Sequence, residues 1–163
     1  MVVRRRGAAA YSVAETVVAL AVLSMMLAAA FQVNSMVFRT LSSQRQVNAA
    51  TRTLQERLEA LRGFRFSQVT DCTWLQQNLL ASDPSTTASL PSLVEVVTVS
   101  AYPPAGAPIQ LVRQNGSTSV NSTNAALAND SVVRVDLSIS WTGGGRTRTR
   151  ETSAVMAKTS LPK

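Results

Sequence analysis

The side chains that could do chemistry are few in this sequence, and their spacing does not assemble a reaction centre. There is no histidine, which removes the commonest general base and metal ligand. Cys72 is the only cysteine, so no internal disulfide can form, and we expect a small, partly buried apolar residue there. The acidic residues lack the spacing of a calcium loop, and the run of three glycines lacks the lysine and serine of a phosphate loop. We therefore predict a protein that is not an enzyme and that holds no metal or cofactor.

Glu15 is the one acidic residue of an otherwise apolar segment, residues 13–33, whose other polar members are Thr16, Ser24 and Gln32. As a helix this segment spans about 30 Å, the thickness of the hydrocarbon core of a bilayer. A carboxylate deep in a bilayer costs about 2.5 to 3.5 kcal/mol. Glu15 therefore either lies near the membrane interface or has a partner.

Three arginines alternate with threonines near the C-terminus, at Arg146, Arg148 and Arg150. Alternate residues of a strand share one side, so these side chains would form a basic surface row about 13 Å long. Such a row could contact the phosphates of nucleic acid or of anionic lipid. Aromatic residues that stack bases are not interleaved with the arginines, so the favoured interpretation is a solvated strand edge whose charges prevent aggregation.

The chain begins with a basic leader, residues 1–10, in which Arg4, Arg5 and Arg6 precede the apolar segment. Basic residues beside a membrane span remain on the cytoplasmic side. They predict a single-pass membrane protein with its N-terminus in the cytoplasm and its C-terminal part on the opposite side. Much of the net charge of +7 belongs to this leader, because it holds three of the sixteen basic residues.

A secretory signal peptide is an alternative interpretation of the same segment. The arginines would form its basic region, residues 17–27 its apolar region, and the alanines at 28–30 a cleavage site before Phe31. The product would be a secreted soluble domain, whereas an unprocessed chain would remain a single-pass anchored protein. Glu15 argues against the signal peptide, because a charge at the head of the apolar region has no use there.

The segment after residue 30 predicts that the helix continues. Residues 31–62 contain no Gly and no Pro, so one helix is expected over residues 11–62, about 78 Å long. Gly63 is expected to end it. In its second half an apolar stripe recurs at helical spacing. Its members are Val47, Ala50, Leu54, Leu58 and Leu61. The first half would lie in a membrane or a filament core, and the second half would cover a sheet.

Residues 63–163 are expected to form a globular head with an antiparallel sheet. Strands are predicted at residues 93–102, 109–114, 117–120, 133–141 and 146–158. Asn115 and Gly116 form a hairpin turn signal between the second strand and the third. The strand at 133–141 alternates apolar and polar residues, which is typical of a half-buried strand.

Less regular parts of the head give weaker expectations. The inward face of the last strand is expected to include Val155 and Ala157. A short helix is expected over residues 73–80, with Thr70 or Asp71 near its start. Residues 121–130 are expected to be an exposed loop. The fold class is therefore α+β, a long helix laid against an antiparallel sheet.

The N-terminal residues resemble the start of type IV pilins and of the pseudopilins of type II secretion. Proteins of this family carry a short basic leader, a cleavage point after a small residue and a mature helix with Glu as its fifth residue. Aligning Glu15 with that glutamate puts the cleavage between Ala10 and Tyr11, so the mature chain would begin YSVAETVVALAVLS. Ala10 stands where the family usually has Gly, and Gly7 lies three residues too early to serve. The match covers about 30 of the 163 residues.

This resemblance implies a pilin-like fold that is processed by a prepilin peptidase, after which Tyr11 can be N-methylated. It implies assembly with other pilin-like subunits through the helix. The new α-amino group of Tyr11 is a cation that is costly in lipid, and Glu15 of a neighbouring subunit could neutralise it. The protein would first lie in the bacterial inner membrane with a periplasmic head, and would then join a filament of the cell envelope.

The lack of a second cysteine favours a minor subunit, because many major pilins close a C-terminal loop with a disulfide. The segment VVRVDLSISWTGGGRTRTR also resembles, weakly, the ends of V-class minor pilins and of I-class pseudopilins. We therefore expect a minor pseudopilin of a type II secretion pseudopilus or tip complex. The alternative is a minor pilin of a type IV pilus for DNA uptake or adhesion, in which the arginine row would bind DNA.

Overall fold

The computed structural model describes residues 13–81 and 89–158, and they form an α+β arrangement, as predicted. The helical elements are α1 (Val13–Arg62), α2 (Phe66–Val69), α3 (Cys72–Asn78) and a 3-10 helix (Ala125–Asn129). The strands are β1 (Val94–Ala101), β2 (Ile109–Gln114), β3 (Ser117–Ser122), β4 (Val132–Gly143) and β5 (Arg146–Ala157). The chain divides into two compact units, Met1–Leu41 and Ser42–Lys163.

The predicted long helix is confirmed over the described residues, since α1 runs for 50 residues without a break. Absence of Gly and Pro from this range allows every backbone hydrogen bond of the helix to form. The helix ends at Arg62, as expected, but Gly63 does not adopt a left-handed conformation. Instead, Gly63 N–H donates to Ala60 O at 3.1 Å and Phe64 N–H donates to Leu61 O at 3.0 Å. These shorter-range bonds tighten the last turn.

In the Ser42–Lys163 unit the apolar stripe of α1 packs on one face of the sheet. Ala50, Leu54 and Leu61 are buried, and Val47 and Leu58 are half-buried against the same core. Inward residues of the strands complete this core, together with Leu75 of α3 and the leucines that follow it. The prediction that the second half of the helix covers a sheet is therefore confirmed.

The five strands form one antiparallel sheet in the order β3-β2-β1-β4-β5. Each consecutive pair in that order runs antiparallel, and the long β4 strand pairs with β1 on one side and β5 on the other. Asn115 and Gly116 both have positive φ, 52° and 76°, which gives the predicted two-residue hairpin turn between β2 and β3. The inward residues predicted for the fourth strand, Val133 to Trp141 at alternate positions, are all buried.

The prediction for the inward face of the last strand is wrong. Val155 is 58% exposed, and Ala157 is exposed as well, whereas Met156 packs against the core. The reason is the two-residue turn at Gly144 and Gly145, which pairs Gly143 with Arg146. This register sets the even-numbered residues of β5 opposite the buried, odd-numbered residues of β4.

Residues 121–130 also differ from the expected exposed loop. β3 continues to Ser122, and the 3-10 helix follows, with Leu127 buried in the core. Asn124 caps this helix, because its Oδ1 accepts from Ala126 N–H at 3.0 Å. The short helix expected at 73–80 is present as α3, and Asp71 caps it by accepting from the backbone N–H groups of Thr73 and Trp74.

Candidate functional site

The surface of the first unit is mostly apolar and is exposed over residues 13–41. Large apolar side chains are exposed along this stretch, with exposed fractions of 80, 65, 72 and 71% for Val13, Leu20, Met25 and Phe31. An apolar surface of this size is not stable in water, since burying it in an apolar medium would gain free energy along its whole length. Lipid or other apolar helices are surroundings that could bury this surface.

The length of this surface matches a bilayer. An 18-residue window of α1 has a mean hydropathy of 2.2 and no residue of it is buried, so by length and composition α1 could cross a membrane. No charged residue lies between Glu15 and Arg39. Residues 16–38 rise about 34 Å as a helix, slightly more than the hydrocarbon core of about 30 Å. The chain therefore has a helix that fits a single membrane span.

The hydroxyl groups within the first unit are compatible with apolar surroundings. Thr16, Ser24 and Ser35 each donate a hydrogen bond of 2.8 Å to the backbone carbonyl three residues earlier. Thr40 donates to the carbonyl four residues earlier at 3.0 Å. Because the helix itself accepts these hydrogen bonds, the hydroxyls would enter lipid without an unsatisfied donor.

Glu15 lies in the first turn of α1, on the exposed surface. A carboxylate there interacts favourably with the positive end of the helix dipole. Ala10 and Tyr11, between which cleavage is expected, lie outside the described residues. Glu15 thus stands at the N-terminal end of the exposed apolar surface.

The three arginines of β5 share the side of the sheet that faces α1. Arg148 pairs in register with Trp141 and Arg150 with Ile139, and both of these partners are buried on the inner face. The guanidinium of Arg148 donates to Ser43 Oγ on α1, and Arg148 is half-buried. Arg146 and Arg150 are exposed. The row therefore lies along the seam between β5 and the second half of α1.

A buried ionic cluster, which was not predicted from the sequence, joins α1 to the centre of the sheet. Arg57 Nη2 and Arg113 Nη1 each lie 3.1 Å from Glu95 Oε2, and the three side chains are 12, 5 and 4% exposed. Arg57 Nη1 also donates to Leu79 O at 2.5 Å. Two guanidinium groups thus hold the Glu95 carboxylate between α1 and β2.

A signal for this cluster was present in the sequence. Glu95 lies two residues before Val97, and Arg113 two residues after Leu111, each in the inward phase of its strand. A charged residue at a position whose side chain faces the core must be buried, or the strand must end there. Glu95 and Arg113 carry opposite charges at core-facing positions of two consecutive strands, and this pattern predicts that they are partners.

An open groove of about 1040 Å³ lies at the far end of the head, bounded by α2, the start of α3, the 3-10 helix and the end of β5. Phe64, Phe66 and Met156 give it an apolar floor, and Lys158 Nζ lies 6.0 Å from the ring centroid of Phe66. Cys72 also borders it, half-buried as expected. Burial, and secondarily the charge of Asp71, raise the pKa of the Cys72 thiol. The thiol is therefore a poor nucleophile at neutral pH.

Residues that could hold a metal do not come together in the parts of the chain at 13–81 and 89–158. There, no three side chains of the His, Cys, Asp and Glu types are grouped closely enough to ligate an ion. The arrangement supplies an apolar helical surface, a basic row and an ionic anchor.

Comparisons with protein-family models, with characterised proteins and with solved structures find no match to this chain. The fold is a long N-terminal apolar helix whose second half packs on a five-stranded antiparallel sheet. This architecture is compatible, in its general outline, with a pilin-like fold.

Proposed function

We propose that this protein is a minor subunit of a type IV pilin-like filament, a pseudopilin of a type II secretion-like system, and that it acts by polymerising. One observation carries the proposal: a single helix is exposed and uncharged over residues 16–38 and amphipathic where it continues into the head. A simple membrane anchor does not need this continuity. A filament subunit does, because its helix must enter a bundle while its head stays fixed to the same helix.

The apolar surface can serve both states that such a subunit occupies. Lipid tails and apolar helices are similar as solvents for leucine, valine and phenylalanine side chains. Moving from bilayer to filament core would therefore exchange one apolar contact for another at little cost. The hydroxyl groups that donate to carbonyls of the same helix would keep these hydrogen bonds when the helix moves from bilayer to filament core.

Glu15 supplies specificity to this otherwise non-directional surface. Cleavage between Ala10 and Tyr11 would create a positive α-amino group four residues before Glu15. Each charge is expensive in an apolar medium, and each neutralises the other when Glu15 of one subunit meets Tyr11 of its neighbour. The pairing would fix the axial offset between subunits, which apolar contacts alone leave undetermined.

The head would then provide the contacts that distinguish this subunit from its neighbours. Its helix is fastened to the sheet by the Arg57, Glu95 and Arg113 cluster, so a force on the helix reaches the sheet through ionic as well as apolar contacts. Partners of the head would be other pilin-like subunits. Processing would depend on a prepilin peptidase, and the inner membrane would hold the subunit before assembly.

The N-terminal peptide tests this proposal directly. The full chain is expressed in cells with and without a prepilin peptidase, and the N-terminal peptide from isolated membranes is identified by mass spectrometry. A peptidase-dependent end at Tyr11, with or without one added methyl group, is the expected result. An Ala30→Leu chain, in which the alternative signal-peptidase site is changed, should give the same end.

Two other results would overturn the proposal. An end at Phe31 that disappears in the Ala30→Leu chain would establish a secreted domain. An intact N-terminus in the presence of an active peptidase would establish an unprocessed membrane anchor.

A further inference from the structure

The β4–β5 hairpin is fixed to the first helical turns of the Ser42–Lys163 unit by two contacts. Arg148 donates from its guanidinium to Ser43 Oγ. Gln46 covers Gly143 so closely that a Cβ added to this glycine would lie 2.5 Å from Gln46 Oε1. The basic row of β5 is therefore held at one defined place along the helix, beside residues 43–46.

Positive charge in this row is not balanced by acidic side chains of residues 13–81 and 89–158. The ion pairs found there use Arg52, Arg57, Arg62, Arg113 and Arg134. Glu151, the acid next to the row in sequence, is odd-numbered in β5 and so points to the opposite side of the sheet. Among residues 13–81 and 89–158, the exposed guanidinium groups of Arg146 and Arg150 therefore have no acidic partner and could bind an anion.

Few residues of α1 separate its uncharged stretch, residues 16–38, from Ser43, which contacts the row. Ser43 follows Phe38, the last residue of the uncharged stretch, by five residues. Five residues of helix rise about 7.5 Å, and the headgroup region of each leaflet is about 5 to 8 Å thick. Ser43 and the arginine bonded to it therefore follow the uncharged stretch along the chain within about the thickness of one headgroup layer.

We propose that Arg146, Arg148 and Arg150 bind the phosphate groups of anionic membrane lipids, and that the β4–β5 hairpin thereby docks the head on the bilayer. This inference rests on the proposed function only in requiring residues 16–38 to span a membrane. Arginine suits the task, because its planar guanidinium can donate two parallel hydrogen bonds to one phosphate. Ser43 orients the central member of the row.

Lipid fits this surface better than a single-stranded nucleic acid does. Binding of single strands relies on exposed aromatic rings on which bases stack. Trp141 is the aromatic residue that pairs with Arg148 in register, and it is only 1% exposed. The row therefore offers charge and hydrogen-bond donors without a stacking platform, which is the chemistry of a headgroup contact.

The test places the full chain in nanodiscs and measures how close the hairpin lies to the lipid headgroups. A spin label is attached at Thr147→Cys in a Cys72→Ala chain, since Thr147 is exposed on the opposite side of β5 from the arginines. The rate at which this spin label collides with a nickel-chelating lipid is compared in two nanodiscs. One contains phosphatidylcholine alone, and the other contains one-quarter phosphatidylglycerol.

The expected result is greater contact with the anionic nanodisc, and a loss of that difference at high salt. Each arginine near an anionic surface should favour the docked state about fivefold. Arg146→Gln with Arg150→Gln should therefore lower the ratio of docked to undocked hairpins about 25-fold in the anionic nanodisc. Both residues are exposed, so this pair of changes leaves the fold intact.

The control makes the same change of charge elsewhere in the head. Arg62→Gln with Arg65→Gln removes two exposed arginines. Arg62 lies about 28 Å further along α1 than Ser43, and Arg65 follows the end of that helix. This chain should dock as the parent does. Ser43→Ala provides a second test, because it removes the contact that orients Arg148 while keeping every charge, and it should weaken docking by less than the double arginine change.

Three outcomes would overturn the inference. Equal contact in the two nanodiscs, with the chain inserted, would mean that the hairpin does not recognise anionic lipid. Equal loss in the two double variants would mean that net charge alone matters. Salt-sensitive DNA binding that requires Arg146 and Arg150, without any lipid effect, would assign the row to nucleic acid. Failure of the chain to remain in nanodiscs after urea washing would instead contradict the proposed function.

Discussion

Arg57 of α1 and Glu95 of β1 are 38 residues apart in sequence, and their side chains meet inside the head through two contacts of 3.1 and 3.4 Å. Arg113 of β2 reaches the same carboxylate from the other side at 3.1 Å. The helix and two neighbouring strands are thus joined at one buried anion. Apolar packing would hold these elements together without fixing their relative position as narrowly.

The first prediction concerns this anion. Glu95→Gln should lower the free energy of unfolding of the head by about 3 kcal/mol or more, because two guanidinium charges would be left buried without their carboxylate. Urea unfolding of the full chain in detergent, followed by tryptophan fluorescence, measures it. Glu59→Gln removes an exposed acid paired with Arg62 and should cost less than about 1 kcal/mol. Similar losses in the two variants would contradict the role given to Glu95.

The second prediction concerns which side chains of β5 face the core. Val155 is exposed and Met156 packs on the core, so Met156→Ala should cost about 1 to 2 kcal/mol, below the range for a fully buried methionine. Val155→Ala should change stability by less than about 0.5 kcal/mol. The same urea unfolding measurement compares them. A larger loss for Val155→Ala would show that the strand is shifted by one residue.

The third prediction concerns the close approach of Gln46 to Gly143. Gly143→Ala should destabilise the head modestly, because the added Cβ would displace the Gln46 amide, which is the end of a flexible side chain. In a Gln46→Ala background most of that loss should disappear, giving a coupling of about 0.5 kcal/mol or more in a double-mutant cycle. Gly144→Ala is the control, since its cost arises from a φ of 61° and should be the same in both backgrounds. Additive effects of Gly143→Ala and Gln46→Ala would refute the contact.

The fourth prediction concerns Cys72. Burial, and secondarily Asp71, raise the pKa of its thiol in the folded protein. Alkylation by iodoacetamide should therefore be slower in the folded chain than in urea, and the two rates should converge as the pH rises through the raised pKa. The thiol also contributes stability that is complete below its pKa in the unfolded chain and is lost as the pH rises through its pKa in the folded protein. Cys72→Ala should abolish that part of the pH dependence, and an unchanged profile would contradict it.

The fifth prediction concerns Glu15 and follows from the proposed function. Glu15→Gln should leave membrane insertion intact, since removing a charge lowers the cost of entering lipid. Association between subunits should weaken by about thirtyfold, because the α-amino group of the neighbour would lose its partner. Cross-linking between single cysteines placed on α1 measures association in membranes. Ser24→Ala, a change within the same apolar surface, is the control and should associate as the parent does.

The sequence by itself determined the elements that depend on local preference. Absence of Gly and Pro gave α1 its length, and the alternation of apolar and polar residues in β4 identified both the strand and its buried side. Asn115 and Gly116 marked their hairpin, because few residue pairs tolerate two positive φ angles in succession. In each case the residues that determine the element lie within a short stretch of chain.

Tertiary structure decided what depends on contacts between distant segments. The sequence of β5 does not indicate which of its side chains face the core. The pairing of Gly143 with Arg146 across a two-residue turn determines that the even-numbered ones do. That pairing also brought Arg148 to Ser43, 105 residues earlier in the chain. Glu95 became a buried anion only because Arg57 and Arg113 approach it from other elements. The free energy of a buried charge depends on what surrounds it in space, and a pattern along the chain does not contain those surroundings.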